Sequence, residues 1–176
     1  MSSLSHYRLS DNYSRFYLKY ILPNKEKIKN KQFMEAIISD LSGWNSIMGL
    51  QFENLVLNNR RLIWSLLKIK PEEIICDNPY FQRKTIKQSG CQIDYMIQTK
   101  YNALYVFEIK FSKNSISLEI INEMKKKIDH LHFPRGFSYR TVLIHVNGVK
   151  EEVVDSDFFS AIIDFGQLLE EPFKII

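Results

Sequence analysis

Residues 91–110 read CQIDYMIQTKYNALYVFEIK, and this stretch decides the fold. Cys91, Ile93, Tyr95 and Ile97 alternate with Gln92, Asp94 and Met96, which predicts a strand from Cys91 to Gln98 with those four on one side and Asp94 on the other. Lys100-Tyr101-Asn102 predicts a hairpin turn. Beyond it, Ala103 to Phe111 is a nearly continuous apolar run, with Leu104, Tyr105, Val106, Phe107 and Ile109. Such a run belongs in the middle of a sheet covered on both faces.

Working outward, Tyr80 to Lys87 reads as the preceding strand and Ser89-Gly90 as a turn, while Pro71, Asn78 and Pro79 mark loop. Helical spacing of Ile47, Leu50, Phe52, Val56, Ile63 and Leu67 predicts one long, largely buried helix from about Asn45 to Ile69, carrying Glu53. Downstream, Ser117 to His130 predicts a crossover helix with Leu118, Ile121, Met124 and Ile128 on one face. Lys125, Lys126 and Lys127 fall in its C-terminal half, where positive charge suits the helix dipole. Tyr139 to Val146 is the next strand, and its parallel pairing with the apolar run completes a β-α-β unit. Phe159 to Phe165 supplies a last short strand, and Gln167 to Leu169 starts a terminal helical turn. The order of elements defines an α/β core over residues 45–176. Residues 1–44 form an N-terminal helical extension: a helix from Asp11 through Leu22, with an aromatic stripe of Tyr13, Phe16, Tyr17 and Tyr20, stopped by Pro23, then a short helical pattern from Gln32 to Leu41.

The composition narrows the class. With 24 basic and 20 acidic residues in 176, the net charge of +4 permits a nucleic-acid partner without requiring one. Two cysteines, Cys76 and Cys91, exclude a disulfide framework and form no close ligand pair, as expected of a reduced intracellular setting. No apolar run approaches the roughly 20 residues that span a bilayer, and residues 1–8 lack an apolar signal core. The expectation is a soluble cytoplasmic protein that does not engage a membrane.

Three side chains carry chemistry. Glu108 and Lys110 share a face of their strand, because side chains alternate, and Asp94 meets them across the hairpin. The plain alternative is a salt bridge between Lys110 and one carboxylate on a solvated face. Against it, two carboxylates set in so apolar a sheet need compensation, for which a divalent cation is the natural candidate. Carboxylate oxygens completed by water suit Mg²⁺ or Mn²⁺ better than zinc. Lys110 then stands beside the ligands, placed to hold an attacking water and offset charge on a phosphate oxygen.

Asp94, Glu108 and Lys110, 14 residues separating the two acids, together with Glu53 on an upstream helix, resemble the PD-(D/E)xK nuclease superfamily. The resemblance implies a restriction-endonuclease-like core, a central mixed sheet flanked by helices. It assigns Asp94 and Glu108 as metal ligands, Lys110 as the catalytic lysine and Glu53 as the acidic residue of the first core helix. The Ile109 carbonyl is an additional ligand in that reading. Gln92 departs from the pattern, standing where relatives commonly carry an acid. Stretches 7–17 and 20–24 further resemble the segment preceding the nuclease-like C-terminal domain of archaeal and bacterial AAA-type ATPases, and 49–53, the Asp94 hairpin and 147–149 through 162–165 continue that match, though the chain has no GxxxxGK[ST] stretch.

These readings imply a metal-dependent hydrolase of phosphodiester bonds, with DNA rather than RNA as the expected substrate and Mg²⁺ or Mn²⁺ as cofactor. Lys84, Lys87 and Lys113 are the expected phosphate contacts. His130 and His132 lack further ligands nearby and read as ordinary surface or core residues. Two alternatives stay open. One is a catalytically weak or inactive nuclease-fold module that docks DNA or a partner, associated with an ATPase or a missing ATPase domain; the other is a self-associating structural domain, a homo-oligomer.

Overall fold

The computed structural model describes residues 9–33, 38–86 and 88–170. The chain divides into two compact units, residues 1–54 and 55–176.

In the first unit, α1 (Asn12–Phe16) begins at Asp11, whose carboxylate accepts from the backbone N–H of Ser14 at 2.8 Å and of Tyr13 at 3.3 Å. This is the N-cap that the sequence indicates. The helix widens into a π-helical turn at Tyr17–Ile21 and closes with a tight turn at Leu22–Asn24, around Pro23. A one-turn helix, α2 (Lys25–Lys29), follows. Of the expected stripe, Phe16 and Tyr20 pack together at 5.4 Å between ring centroids, and Trp44 approaches both. Tyr13 is exposed. Residues 34–37 of the pattern expected from Gln32 to Leu41 lie outside the described residues, and Ile38–Asp40 form a single 3₁₀ turn.

The long helix expected from Asn45 to Ile69 is two helices, α3 (Trp44–Asn58) and α4 (Arg60–Leu66). Asn59 separates them with φ −108° and ψ 25°. Its side-chain amide donates to the Leu55 carbonyl at 2.8 Å, the local competition with backbone bonding that disfavours Asn inside helices.

The second unit is built on a five-stranded mixed sheet in the order β1 (Ile74–Gln82), β2 (Cys91–Thr99), β3 (Ala103–Lys110), β4 (Ser138–His145) and β5 (Ala161–Asp164). The β1-β2-β3 meander is antiparallel, while β3, β4 and β5 run parallel. Helix α5 (Glu119–His130) makes the expected crossover; α6 (Glu151–Val154) and α7 (Phe165–Glu170) complete the chain as described. The α/β class, mixed sheet and N-terminal helices therefore agree with the sequence reading. Val106 and Phe107 are fully buried at the centre of β3, each side chain stabilising the fold by roughly 1.5–3 kcal/mol. Asn102 turns the β2-β3 hairpin at φ 52°, a left-handed conformation that Asn tolerates.

Three expectations need correction. Strand β1 starts at Ile74 rather than Tyr80 and ends at Gln82, so Asn78 and Pro79 lie inside it. Proline is tolerated there because β1 is an edge strand bonded only to β2. Leu118 precedes α5 and is exposed; the buried face of the helix is Ile120, Ile121 and Met124. The third correction concerns the faces of β2. From Ile93 to Met96 this strand advances three residues while β1 advances only from Tyr80 to Asn78, so β2 carries an extra residue, a bulge. Cys91 and Ile93 consequently pack in the cluster under α5 with Val106, Met124 and Leu143. Tyr95 turns to the other face, against Phe107 at 4.7 Å, with its hydroxyl accepting from Trp64 Nε1 at 2.9 Å.

Candidate active site

Alternation across the β2-β3 hairpin sets the site: the register that pairs Tyr95 with Phe107 carries on toward Asp94 and Glu108 on the α5 side of the sheet, and the bulge brings Cys91 and Ile93 to that same side. Asp94 Oδ2 accepts the backbone N–H of Ile109 at 3.0 Å, a bond across the β2-β3 seam that fixes the carboxylate. Its Oδ1 lies 3.6 Å from Nζ of Lys127. Glu108, only 2% exposed, accepts from the same Nζ through Oε2 at 2.5 Å, and its Oε1 lies 3.3 Å from Nζ of Lys110. Lys110 in turn donates to Oε2 of Glu123 at 2.7 Å. Three carboxylates and two ammonium groups thus form one chain of contacts, running from β2 through β3 to α5.

Burial raises the Glu108 pKa above the usual carboxylate value, and the Asp94 charge adds to it, against the opposing pull of Lys127 and Lys110. For Lys127, burial works against the charged form, but Asp94 and Glu108 outweigh it and the pKa rises. Lys110 behaves alike: burial lowers its pKa, and the bonds and charges of Glu123 and Glu108 more than reverse this. Both lysines are therefore cations throughout the neutral range. The neighbouring Cys91 donates its thiol to the Lys127 carbonyl at 3.2 Å, and burial pushes that thiol's pKa up. It is held as a neutral packing group.

The structure brings Asp94, Glu108 and Lys110 together, with Ile109 between them as a backbone donor. Glu53 sits on α3 in the first unit. Lys84 is exposed in the segment after β1, Lys113 is exposed after β3, and Lys87 lies outside the described residues. Gln92 is exposed on β2 opposite Phe81.

Sequence reasoning missed Lys127 and Glu123 as members of the cluster. The signal was available in α5: Lys127 follows the buried Ile120 and Met124 at helical spacing, whereas Lys125 and Lys126 do not, and Glu123 lies one turn before it. Beyond Lys110 and Glu123 opens a hollow of about 210 Å³, whose lining includes Ser112, Ser115, Ser117 and Glu119.

The donors at the cluster fit a hard divalent cation in kind. Two carboxylates converge on one point, and Mg²⁺ ordinarily takes one or two carboxylates with the rest of its sphere water. Among the described residues no group of three or more His, Cys, Asp and Glu side chains is arranged to hold a metal. The point between the two acids is held by the Lys127 ammonium.

No protein-family model and no curated protein matches the chain. Solved structures similar to it include a repair endonuclease from Pyrococcus abyssi, with a TM-score of 0.41 and 19% identity over 64% of this chain and 44% of that one. Another is EndoMS in complex with dsDNA, with a TM-score of 0.34 and 17% identity over 58% of this chain and 42% of the other. The similar region spans less than half the length of either protein. Among the described residues, no helix is long and apolar enough to cross a membrane.

Proposed function

We propose that this chain is a metal-dependent nuclease of the PD-(D/E)xK type, hydrolysing phosphodiester bonds in DNA. The observation that carries this reading is the convergence of Asp94 and Glu108, from neighbouring strands, on one cation position with Lys110 beside it. A carboxylate buried as deeply as Glu108 is not there for stability, since an apolar residue of similar volume at such a site is often neutral or better. Its presence argues for chemistry.

In this reading Asp94, Glu108 and the Ile109 carbonyl would hold Mg²⁺ or Mn²⁺, whose chemistry there would be water activation and charge neutralisation at the phosphate. The chain's own groups do the rest. The Ile109 N–H keeps Asp94 oriented toward the cluster. Lys110, charged at neutral pH and tethered by Glu108 and Glu123, stabilises negative charge developing on a phosphate oxygen. Glu53 belongs to the same proposal as an acidic group of the first core helix, and Lys84, Lys87 and Lys113 as contacts along the phosphate backbone. Association with an AAA-type ATPase is part of it as well, as is a cytoplasmic setting.

A second reading has its own support. Lys127 already bridges both carboxylates from α5, so a cation stands between the two acids without a divalent ion, as a docking module without hydrolysis would have it.

The test uses plasmid and linear DNA with the purified protein in Mg²⁺, Mn²⁺ or EDTA, alongside Asp94→Asn, Glu108→Gln and Lys110→Met. Divalent-dependent cleavage by the unaltered protein, lost in all three variants, is expected. Equal cleavage by every variant rejects the assignment, and DNA binding with no calorimetric uptake of Mn²⁺ selects the docking module.

A further inference from the structure

A second site lies on α4 and the segment after it, apart from the carboxylate cluster. A hollow of about 580 Å³ opens there, lined by Arg61, Trp64, Ser65, Lys68 and Lys70 together with Ile69 and Pro71. That is the scale of a small-molecule pocket. Its charge is one-sided. Among the described residues, three cationic side chains line it and no carboxylate does. Among the described residues none of the three forms an ion pair, whereas the adjacent Arg60 is taken by Asp77 at 3.2 Å. Three like charges around one concavity repel one another, an arrangement that an anion relieves.

Trp64 supplies the other half of the chemistry. Its Nε1–H is spent on the Tyr95 hydroxyl at 2.9 Å, and that hydroxyl donates to Oδ2 of Asp77 at 3.2 Å. The indole is therefore fixed by its one polar atom and presents carbon surface to the hollow. An indole and several cations lining one hollow is the combination that single-stranded nucleic acid and free nucleotides both use, the base stacking and the phosphates pairing with Lys and Arg.

We infer that this hollow binds a nucleotide unit, its base on the face of Trp64 and its phosphate on Arg61, Lys68 and Lys70. The ligand is either one residue of a single strand or a free mononucleotide. The site does not depend on the metal-dependent reading of the other cluster, and its test runs in EDTA, where that reading predicts no reaction.

Tryptophan fluorescence is followed while the full chain is titrated with an eight-residue oligothymidylate, with thymidine monophosphate and with dextran sulfate. Saturable quenching by either thymidylate ligand is expected, absent in Trp64→Phe and at least about tenfold weaker in Lys68→Ala/Lys70→Ala, whose exposed positions spare the fold. Quenching by the oligonucleotide alone identifies a strand, and equal affinity for both identifies a mononucleotide. No quenching by either overturns the site. So does unchanged affinity in the lysine variant, or an equal response to dextran sulfate, which carries no base. Anisotropy of a labelled oligonucleotide, with far-ultraviolet circular dichroism of each variant, separates loss of binding from loss of fold.

Discussion

The ammonium of Lys127 donates to Oε2 of Glu108 across 2.5 Å and thereby neutralises, from a helix, a carboxylate that the sheet buries almost completely. The same nitrogen reaches Asp94 at 3.6 Å, so one cation serves two acids. Lys127→Met removes that compensation and leaves Glu108 dependent on Lys110. Removing one partner of a buried ion pair costs about 3 kcal/mol, and urea unfolding in EDTA should show a loss of that order. Mn²⁺ should then raise the urea midpoint of the variant more than that of the unaltered protein, because the vacated position suits a divalent ion. No Mn²⁺ effect on either protein contradicts a metal site between the acids.

Lys110 separates a catalytic cation from a merely structural one. It is tied to Glu108 at 3.3 Å and to Glu123 at 2.7 Å, so Glu123 positions it while Glu108 still holds it if Glu123 is lost. For the nuclease proposed above, single-turnover DNA cleavage in saturating Mn²⁺ should fall by about 100-fold or more in Lys110→Met, the usual effect of deleting a charge-stabilising donor. Glu123→Gln should retain most of the rate. A Lys110→Met variant that cleaves at the original rate removes Lys110 from the mechanism.

The order of elements was legible in the sequence because each segment announces its own period: alternation in residues 91–98, an unbroken apolar run in β3, helical spacing in α5. The trio Asp94, Glu108 and Lys110 was legible for the same reason, since strand alternation and one hairpin suffice to bring them together. What escaped depends on contacts between distant segments. The bulge in β2 is a mismatch with β1, invisible in either strand alone, yet it decides which side Tyr95 takes. Lys127 escaped because its neighbours Lys125 and Lys126 suggest a solvated dipole partner, and only the docking of α5 distinguishes the third lysine. Asn59 split the long helix through a bond to its own preceding turn, against an apolar pattern that continues across it.

Gln82 holds α5 in the position that Lys127 requires. It is 3% exposed, and its amide nitrogen donates to the carbonyls of Ser89 at 2.7 Å and His130 at 2.6 Å, while its oxygen accepts the His132 N–H at 3.0 Å. One side chain thus joins the end of β1, the turn before β2 and the residues that terminate α5. Gln82→Ala leaves these backbone groups without their partner, and a loss of about 2–3 kcal/mol in unfolding free energy is expected. Hydrogen exchange in the last turn of α5 should accelerate more than in β3. Uniform acceleration across the sheet would mean that the clamp is not local.

His145, at the end of β4, is 4% exposed, and its Nδ1 has no hydrogen-bond partner among the described residues. Burial lowers its pKa below the ordinary 6.5; the Asp164 charge, beside it in β5, and a backbone bond to Val146 oppose this without cancelling it. The sign follows from proton counting. Between the folded and unfolded pKa values the unfolded chain binds more protons, so stability rises with pH in that window. It is lost as pH falls below 6.5 toward the folded value, and above 6.5 this residue adds no slope. The urea midpoint should therefore drop between pH 7 and pH 5, and His145→Gln, which cannot titrate, should flatten that part of the curve. Parallel curves for the two proteins would place the acid sensitivity at another group.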